Sequence, residues 1–127
     1  MQISFAVVPF DHDGMFAELM QHGKPKDGVR IICVDPRGLL KGFDANVLDT
    51  ATGGKFLELC GGNGMGSQRF LLLKPRREQI EHLWGMLREF PRDSEKLLEL
   101  SEKLTSILRS AKNCLDEHGD RAAMLIS

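Results

Sequence analysis

The sequence has no tyrosine, one tryptophan and three cysteines among its 127 residues. Proteins that bind single-stranded nucleic acid usually stack its bases on exposed aromatic side chains, so this shortage argues against that function. The odd number and wide spacing of Cys33, Cys60 and Cys114 do not form a disulfide framework. Free thiols favour a reducing cytoplasm.

Long apolar runs and an excess of one charge are also missing. No stretch approaches the ~18 consecutive apolar residues of a membrane span, and the N-terminal segment lacks the basic start of a secretory signal. Lysine and arginine total 17 against 18 acidic residues, which leaves a net charge of −1. This balance excludes a strongly basic nucleic-acid protein and an acidic disordered tail. We therefore expect a cytoplasmic protein without a membrane partner.

The chain changes character at Pro75, because all but two of its 13 glycines, Gly85 and Gly119, precede that residue. The length is that of one domain. We predict a single α+β domain over residues 1–127, with a small, mainly antiparallel sheet of four or five strands. In this prediction residues 1–74 are β-rich with one short helix, residues 75–119 form an antiparallel helical hairpin, and residues 120–127 are a tail.

Within the β-rich part, apolar runs between turn residues predict strands. The predicted strands cover residues 2–10, 29–34, 39–48, 56–60 and 69–73. Met15, Phe16, Leu19 and Met20 have the spacing of one helical face, so we predict a short helix there. Asp11 or Asp13 would cap this helix. The tail over 121–127 is predicted to add an edge strand or to pack on the hairpin.

The helical hairpin has clear boundaries in the sequence. Pro75 suits a helix start, and the dipeptide Phe90-Pro91 ends the first helix. Asp93 or Ser94 can cap the second helix, and Gly119 is its natural end. Apolar residues at alternating spacings of three and four, from Leu97 to Cys114, form a heptad seam along it.

This second helix carries more apolar surface than its shorter neighbour can cover. Large exposed apolar patches mark interaction sites, so a symmetric homodimer is one expectation and complete burial within one monomer is the alternative. The residues assigned to the seam are Leu97, Leu98, Leu104, Leu108 and Leu115.

The glycine-rich loop over residues 61–67 is a candidate partner-binding loop, with Gly62, Asn63, Gly64 and Met65 at its centre. A phosphate-binding loop would lead into a helix, whereas the residues after this loop favour a strand. The loop therefore favours a flexible hairpin connection over a nucleotide site, and it is kept as a candidate loop for binding a protein partner.

Next to the loop, Arg69, Lys74, Arg76 and Arg77 supply four bases with no acid between residues 68 and 77. Basic side chains at this position can contact an acidic partner or phosphate groups. A nucleic-acid-associated accessory protein is therefore an alternative function, and the neutral net charge disfavours it.

No set of residues converges on catalysis or on metal binding. Adjacent side chains in Asp11-His12-Asp13 diverge and would chelate poorly, and the pair Cys114 and His118 has no second pair of ligands. Cys60 precedes the glycine loop but has no histidine base assigned to it. A ligand binder or enzyme around Cys60 and the loop is the third hypothesis, and we predict no catalytic residue, metal or cofactor.

Taken together, these features favour a non-enzymatic protein-interaction module, a small inhibitor, regulator or accessory protein that binds a protein partner as a homodimer. The partner's identity is open. The glycine loop and the basic segment 69–77 are the expected partner-binding sites.

Overall fold

A computed structural model describes residues 3–33, 45–61 and 68–126. The described part contains seven strands and four α-helices, and short 3₁₀ turns connect some of them. The strands are β1 (Ile3–Val7), β2 (Gly14–Met15), β3 (Met20–Gln21), β4 (Lys24–Pro25), β5 (Arg30–Cys33), β6 (Arg69–Leu72) and β7 (Ala122–Ile126). The helices are α1 (Ala45–Ala51), α2 (Lys55–Leu59), α3 (Arg77–Met86) and α4 (Glu95–His118).

Five of the strands form one sheet in the order β2-β6-β7-β1-β5, and every neighbouring pair is antiparallel. β3 and β4 form a separate two-stranded sheet. The predicted α+β class with an antiparallel sheet is confirmed, as are strands at the positions of β1, β5 and β6.

The C-terminal strand β7 occupies the centre of the sheet. It pairs with β1 from Ala122 to Ile126 and with β6 from Ala123 to Ile126. The prediction of an edge strand was therefore wrong. All five residues of β7 are buried, as expected for a continuous apolar strand that is covered on both faces.

The sheet separates two apolar clusters, because successive side chains of a strand point to opposite faces. Ile3, Phe5 and Met124 contribute to the larger cluster, which α3 and α4 complete. The smaller cluster contains Phe70 and Leu125 from the other face. Segments between β1 and β5 cover that second face with side chains that include Leu19 and Val29, and Ile31 of β5 packs against the same cluster.

Helices take the place of one predicted strand and of the end of another, whose residues 39–44 lie outside the described residues. Phe56–Leu59 lies in α2, and the described end of the predicted strand 39–48 lies in α1. Side-chain hydrogen bonds fix this connection, because the Thr52 hydroxyl accepts from Phe56 N at 3.2 Å and Asp49 Oδ1 accepts from Leu57 N at 2.7 Å. These contacts satisfy backbone N–H groups at the start of α2.

The predicted helix over residues 15–20 is reduced to one 3₁₀ turn, Phe16–Glu18, between β2 and β3. Asp13 does not cap it. At the start of this turn, Glu18 Oε1 accepts a hydrogen bond from Met15 N at 2.9 Å.

The C-terminal helices begin near the residues that the sequence predicts. Pro75 lies in a 3₁₀ turn that leads into α3, and the Ser94 hydroxyl caps α4 by accepting from Leu97 N at 3.2 Å. α4 ends at His118, and Gly119 follows as its C-cap with a φ of 57°, which is accessible to glycine. α3 ends at Met86, before the predicted boundary, and the two helices contact each other. Their antiparallel arrangement stays a prediction.

Candidate partner-binding edge of the sheet

One edge of the sheet brings together most of the described residues that the sequence singled out. β2 pairs with β6 through only two residues, with Gly14 opposite Phe70 and Met15 opposite Arg69. Gly14 permits this approach, because a Cβ atom there would lie 2.6 Å from the Phe70 ring. Beyond Gly14 no backbone partner continues the ladder along β6 within the described part.

Side chains satisfy the backbone of Leu72 at this edge. Its N–H donates to Asp13 Oδ1 at 2.8 Å, and its carbonyl accepts from Arg76 Nη1 at 2.8 Å. The two side chains also pair with each other, with 2.7 Å between Arg76 Nη2 and Asp13 Oδ2. Asp13, which sequence reasoning treated as a helix cap or a member of a metal cluster, is therefore part of the sheet edge.

Arg69 lies at the start of β6, where its guanidinium donates to the carbonyl of Cys60. This contact connects the end of α2 to β6 across the base of the glycine loop. The candidate loop residues Gly62, Asn63, Gly64 and Met65 lie outside the described residues.

Three exposed side chains flank β6, with Met15 opposite its first residue and Lys74 and Arg77 after its last residue. Met15 is 58 % exposed, and Lys74 and Arg77 are exposed at the start of α3. Of the four predicted bases, Arg69 and Arg76 thus donate hydrogen bonds to backbone carbonyls of their own chain, whereas Lys74 and Arg77 are exposed to solvent. Sequence reasoning placed Met15 on a helical face, because its pairing with Arg69 is distant along the chain and leaves no local pattern.

Cys60, the candidate nucleophile, is fully buried. Burial raises the pKa of its thiol to about 12, although the positive charge of Arg69 opposes that shift. A catalytic cysteine needs the opposite perturbation, since the thiolate is the nucleophile. The structure therefore disfavours thiol chemistry at Cys60.

The two metal hypotheses have little geometric support. Within residues 3–33, 45–61 and 68–126, no three His, Cys, Asp or Glu side chains are grouped to hold a metal ion. His12 Nδ1 lies 3.2 Å from Asp11 Oδ1, and this hydrogen bond lowers the pKa of the Asp11 carboxyl. Cys114 Sγ donates to the carbonyl of Ala6 at 3.7 Å, inside the core.

The predicted seam of α4 divides into a buried and an exposed part. Leu104, Leu108 and Leu115 are buried within the single chain, so they belong to its own core and not to an exposed seam. Leu97 is partly buried against the same core, and Leu98 is 43 % exposed.

Leu98 lies on the outer face of α4, in a surface groove of about 480 Å³. Glu102 and Arg109 line this groove two helical turns apart, and Thr105 and Ser106 lie between them. Neither charged residue forms an ion pair with another described residue.

No helix in the described ranges is both long enough and apolar enough to cross a membrane. Comparisons of the chain with protein-family models, curated proteins and solved structures found no match.

Proposed function

We propose that this chain is a non-enzymatic interaction module, a small inhibitor, regulator or accessory protein that binds the acidic surface of a protein partner. The binding surface consists of Met15, Lys74 and Arg77, and we name it the β6 edge surface. We also propose that the glycine loop next to Arg69 contacts the partner. In this proposal the protein is a homodimer and resides in a reducing cytoplasm.

The observation that carries this proposal is the combination of an exposed apolar side chain with outward-facing bases. Met15 is the most exposed large hydrophobic side chain in the described part of the chain. Methionine and arginine are enriched at protein interfaces, and complementary charge accelerates association and selects the partner. Lys74 and Arg77 keep a local positive charge in a chain whose net charge is −1, so the complementary partner is acidic.

The same edge supports a nucleic-acid partner less well. Arg69 and Arg76 donate to backbone carbonyls of their own chain, and Arg76 also pairs with Asp13. Two outward bases provide few phosphate contacts, whereas the affinity of nucleic-acid binding grows with their number.

The test is affinity capture from lysate of the source cells, with and without nuclease treatment. The wild type is compared with Lys74→Glu/Arg77→Glu, with Met15→Ser, and with a control that reverses two exposed lysines elsewhere, Lys24→Glu/Lys26→Glu. We expect one stoichiometric acidic protein that survives nuclease, is retained by the control, and is lost or strongly reduced with the two edge variants.

Equal capture by Lys74→Glu/Arg77→Glu and the wild type would reject the β6 edge surface. Loss of the captured material after nuclease treatment would favour the nucleic-acid function instead. Circular dichroism of each variant separates a binding defect from unfolding.

The homodimer is best accommodated by the outer face of α4. Glu102 and Arg109 have opposite charges and lie two helical turns apart. If two copies of α4 pair in antiparallel fashion about a two-fold axis near Thr105 and Ser106, Glu102 of each copy faces Arg109 of the other. The small side chains at the centre allow close approach, and Leu98 adds apolar contact.

A further inference from the structure

An apolar groove lies between α1 and the first turns of α4. Its volume is about 470 Å³, and its lining residues are Val47, Thr50 and Ala51 from α1 with Lys96, Leu97 and Leu100 from α4. Each set has the spacing of one helical face, so two faces lie opposite each other across the groove. None of these residues belongs to the β6 edge surface, and none lines the groove on the outer face of α4.

The floor of this groove is part of the main core. Leu100 is buried, and the half-buried Val47 and Leu97 pack against the larger apolar cluster. α1 packs closely on α2 and α4 packs closely on α3, but within the described residues α1 and α4 do not pack closely on each other. Apolar surface therefore stays open between the two helices, in a space whose volume lies within the ~300–1,000 Å³ typical of ligand pockets.

Lys96 is the one charged residue among those that line the groove in the described part of the chain. Its side chain is exposed and forms no ion pair with another described residue. A lysine lays its aliphatic stem along apolar surface and keeps its ammonium group in water at the edge. The matching occupant therefore has an aliphatic chain for the floor and a negative charge for the rim.

The length of the groove favours a small ligand over a helix of a partner protein. A docked helix uses apolar anchors from position i to i+7, which span about 10 Å along its axis. The walls here run from Val47 to Ala51 and from Lys96 to Leu100, which is about 6 Å on each helix. A flexible aliphatic chain fits a wall of this length, whereas the anchors of a helix extend beyond it.

We propose that this groove binds an aliphatic carboxylate, with the alkyl chain on Leu100 and the carboxylate paired with Lys96. A carboxylate accepts hydrogen bonds from the three donors of an ammonium group. Because the groove is open on one side, the ion pair stays hydrated and most of the affinity comes from the alkyl chain. The ligand class with this chemistry is a free fatty acid of medium chain length.

The test is a titration with octanoate, followed through the amide chemical shifts of the protein by NMR. We expect saturable shifts in residues 47–51 and 96–100. Decanoate should bind about fourfold more tightly than octanoate, which is the contribution of two half-buried methylene groups. Octylammonium has the same chain and the opposite charge, so it should bind about fivefold more weakly than octanoate.

Two changes separate the charge from the apolar floor. Lys96→Glu should reverse the preference, so that octylammonium binds more tightly than octanoate. The control Lys24→Glu reverses an exposed lysine outside the groove and should leave the preference unchanged. Ala51→Leu fills the groove from α1 and should abolish binding of both compounds, whereas Ala51→Ser keeps the space and should retain binding. Because Ala51 is exposed, both of its variants should keep a melting temperature close to that of the wild type.

Absence of saturable shifts with octanoate, equal binding of octylammonium to the wild type, or retained binding by a folded Ala51→Leu variant would each overturn the proposal. Shifts of the groove residues that follow the protein concentration, and that octanoate does not reverse, would identify a second copy as the occupant and would also overturn it. The titration needs no protein partner and no residue of the β6 edge surface, so this inference and the proposed function fail independently.

Discussion

Asp13 and Arg76 together replace a missing strand neighbour at the edge of the sheet. The carboxylate accepts the N–H of Leu72, the guanidinium donates to the carbonyl of the same residue, and the two side chains pair at 2.7 Å. Unpaired edge groups invite another chain to add a strand. Because the Leu72 groups are satisfied, the partner proposed for this edge should bind through side chains and not by extending the sheet there.

Removal of the Asp13 carboxylate should weaken the fold. We expect Asp13→Ala to lower the free energy of unfolding by about 1–2 kcal/mol, since it leaves the Leu72 N–H unpaired and the partial exposure of Asp13 screens the ion pair. Asp13→Asn keeps an acceptor for the Leu72 N–H, so its free energy of unfolding should fall by less. Urea denaturation measures both variants.

The control for this prediction is Asp11→Ala, which removes a neighbouring carboxylate that is 87 % exposed and bonds only to the adjacent His12 among the contacts described for it. We expect its unfolding midpoint to match that of the wild type. If both variants lowered stability equally, the contact to Leu72 would not be the reason.

The sequence predicts the elements that local patterns determine. The bounds of α4 follow from the Ser94 cap, the apolar spacing and Gly119, all of which act within a few residues. Phe56–Leu59 was read as a strand because a short apolar run fits either a strand or a buried helix. The side chains of Thr52 and Asp49 stabilise the helix by accepting hydrogen bonds from its first backbone N–H groups, and both residues lie outside the apolar run.

The position of β7 and the composition of the β6 edge surface depend on contacts between distant parts of the chain. The apolar run Ala122–Ile126 contained the signal of a strand buried on both faces, but its neighbours β1 and β6 are set by topology. The charge pattern of the sequence predicts Lys74 and Arg77 as binding residues. It does not predict that Asp13 and Met15 lie at this edge, because their partners in β6 lie far along the sequence.

Charge exchange tests the antiparallel pairing proposed for α4. Glu102→Arg and Arg109→Glu should each raise the dissociation constant of the dimer about tenfold, because each replaces two symmetry-related attractions with repulsions. The double variant Glu102→Arg/Arg109→Glu restores both pairs and should recover dimerisation. Sedimentation equilibrium of the three variants and the wild type measures the constants.

A control for the charge exchange is Glu81→Arg, which reverses the charge of an exposed residue on α3, outside the groove. It should leave the dissociation constant nearly unchanged. A wild type that stays monomeric at every concentration, or a double variant as weak as the single variants, would contradict the pairing.

Two glycines should respond in opposite ways to alanine. At Gly14 a new Cβ would lie 2.6 Å from the buried Phe70 ring, so Gly14→Ala should lower the melting temperature. At Gly85 in α3 no atom lies within 4 Å of the new Cβ, and alanine is favoured over glycine in a helix by up to about 1 kcal/mol. Gly85→Ala should therefore raise the melting temperature. Calorimetry that found an unchanged or higher melting temperature for Gly14→Ala would refute this account of the β2–β6 contact.

The buried thiol of Cys60 predicts a loss of stability at alkaline pH. Its pKa rises from 9.0 to about 12 in the folded protein. Below pH 9.0 the thiol is protonated in both the folded and the unfolded chain, and it does not make stability depend on pH. As the pH rises from 9.0 towards 12, the unfolded chain releases this proton while the folded chain keeps it, so unfolding becomes more favourable.

This group contributes a slope of up to about 1.4 kcal/mol per pH unit in that window. Urea denaturation at a series of alkaline pH values measures this slope. The free energy of unfolding should decrease less steeply with pH for Cys60→Ala than for the wild type, even if the alanine variant is less stable at neutral pH. Ionisation of tyrosine does not contribute, because the sequence contains none. Identical slopes for the two proteins would show that Cys60 ionises at an ordinary pKa, and would return its thiol to the list of candidate nucleophiles beside the glycine loop.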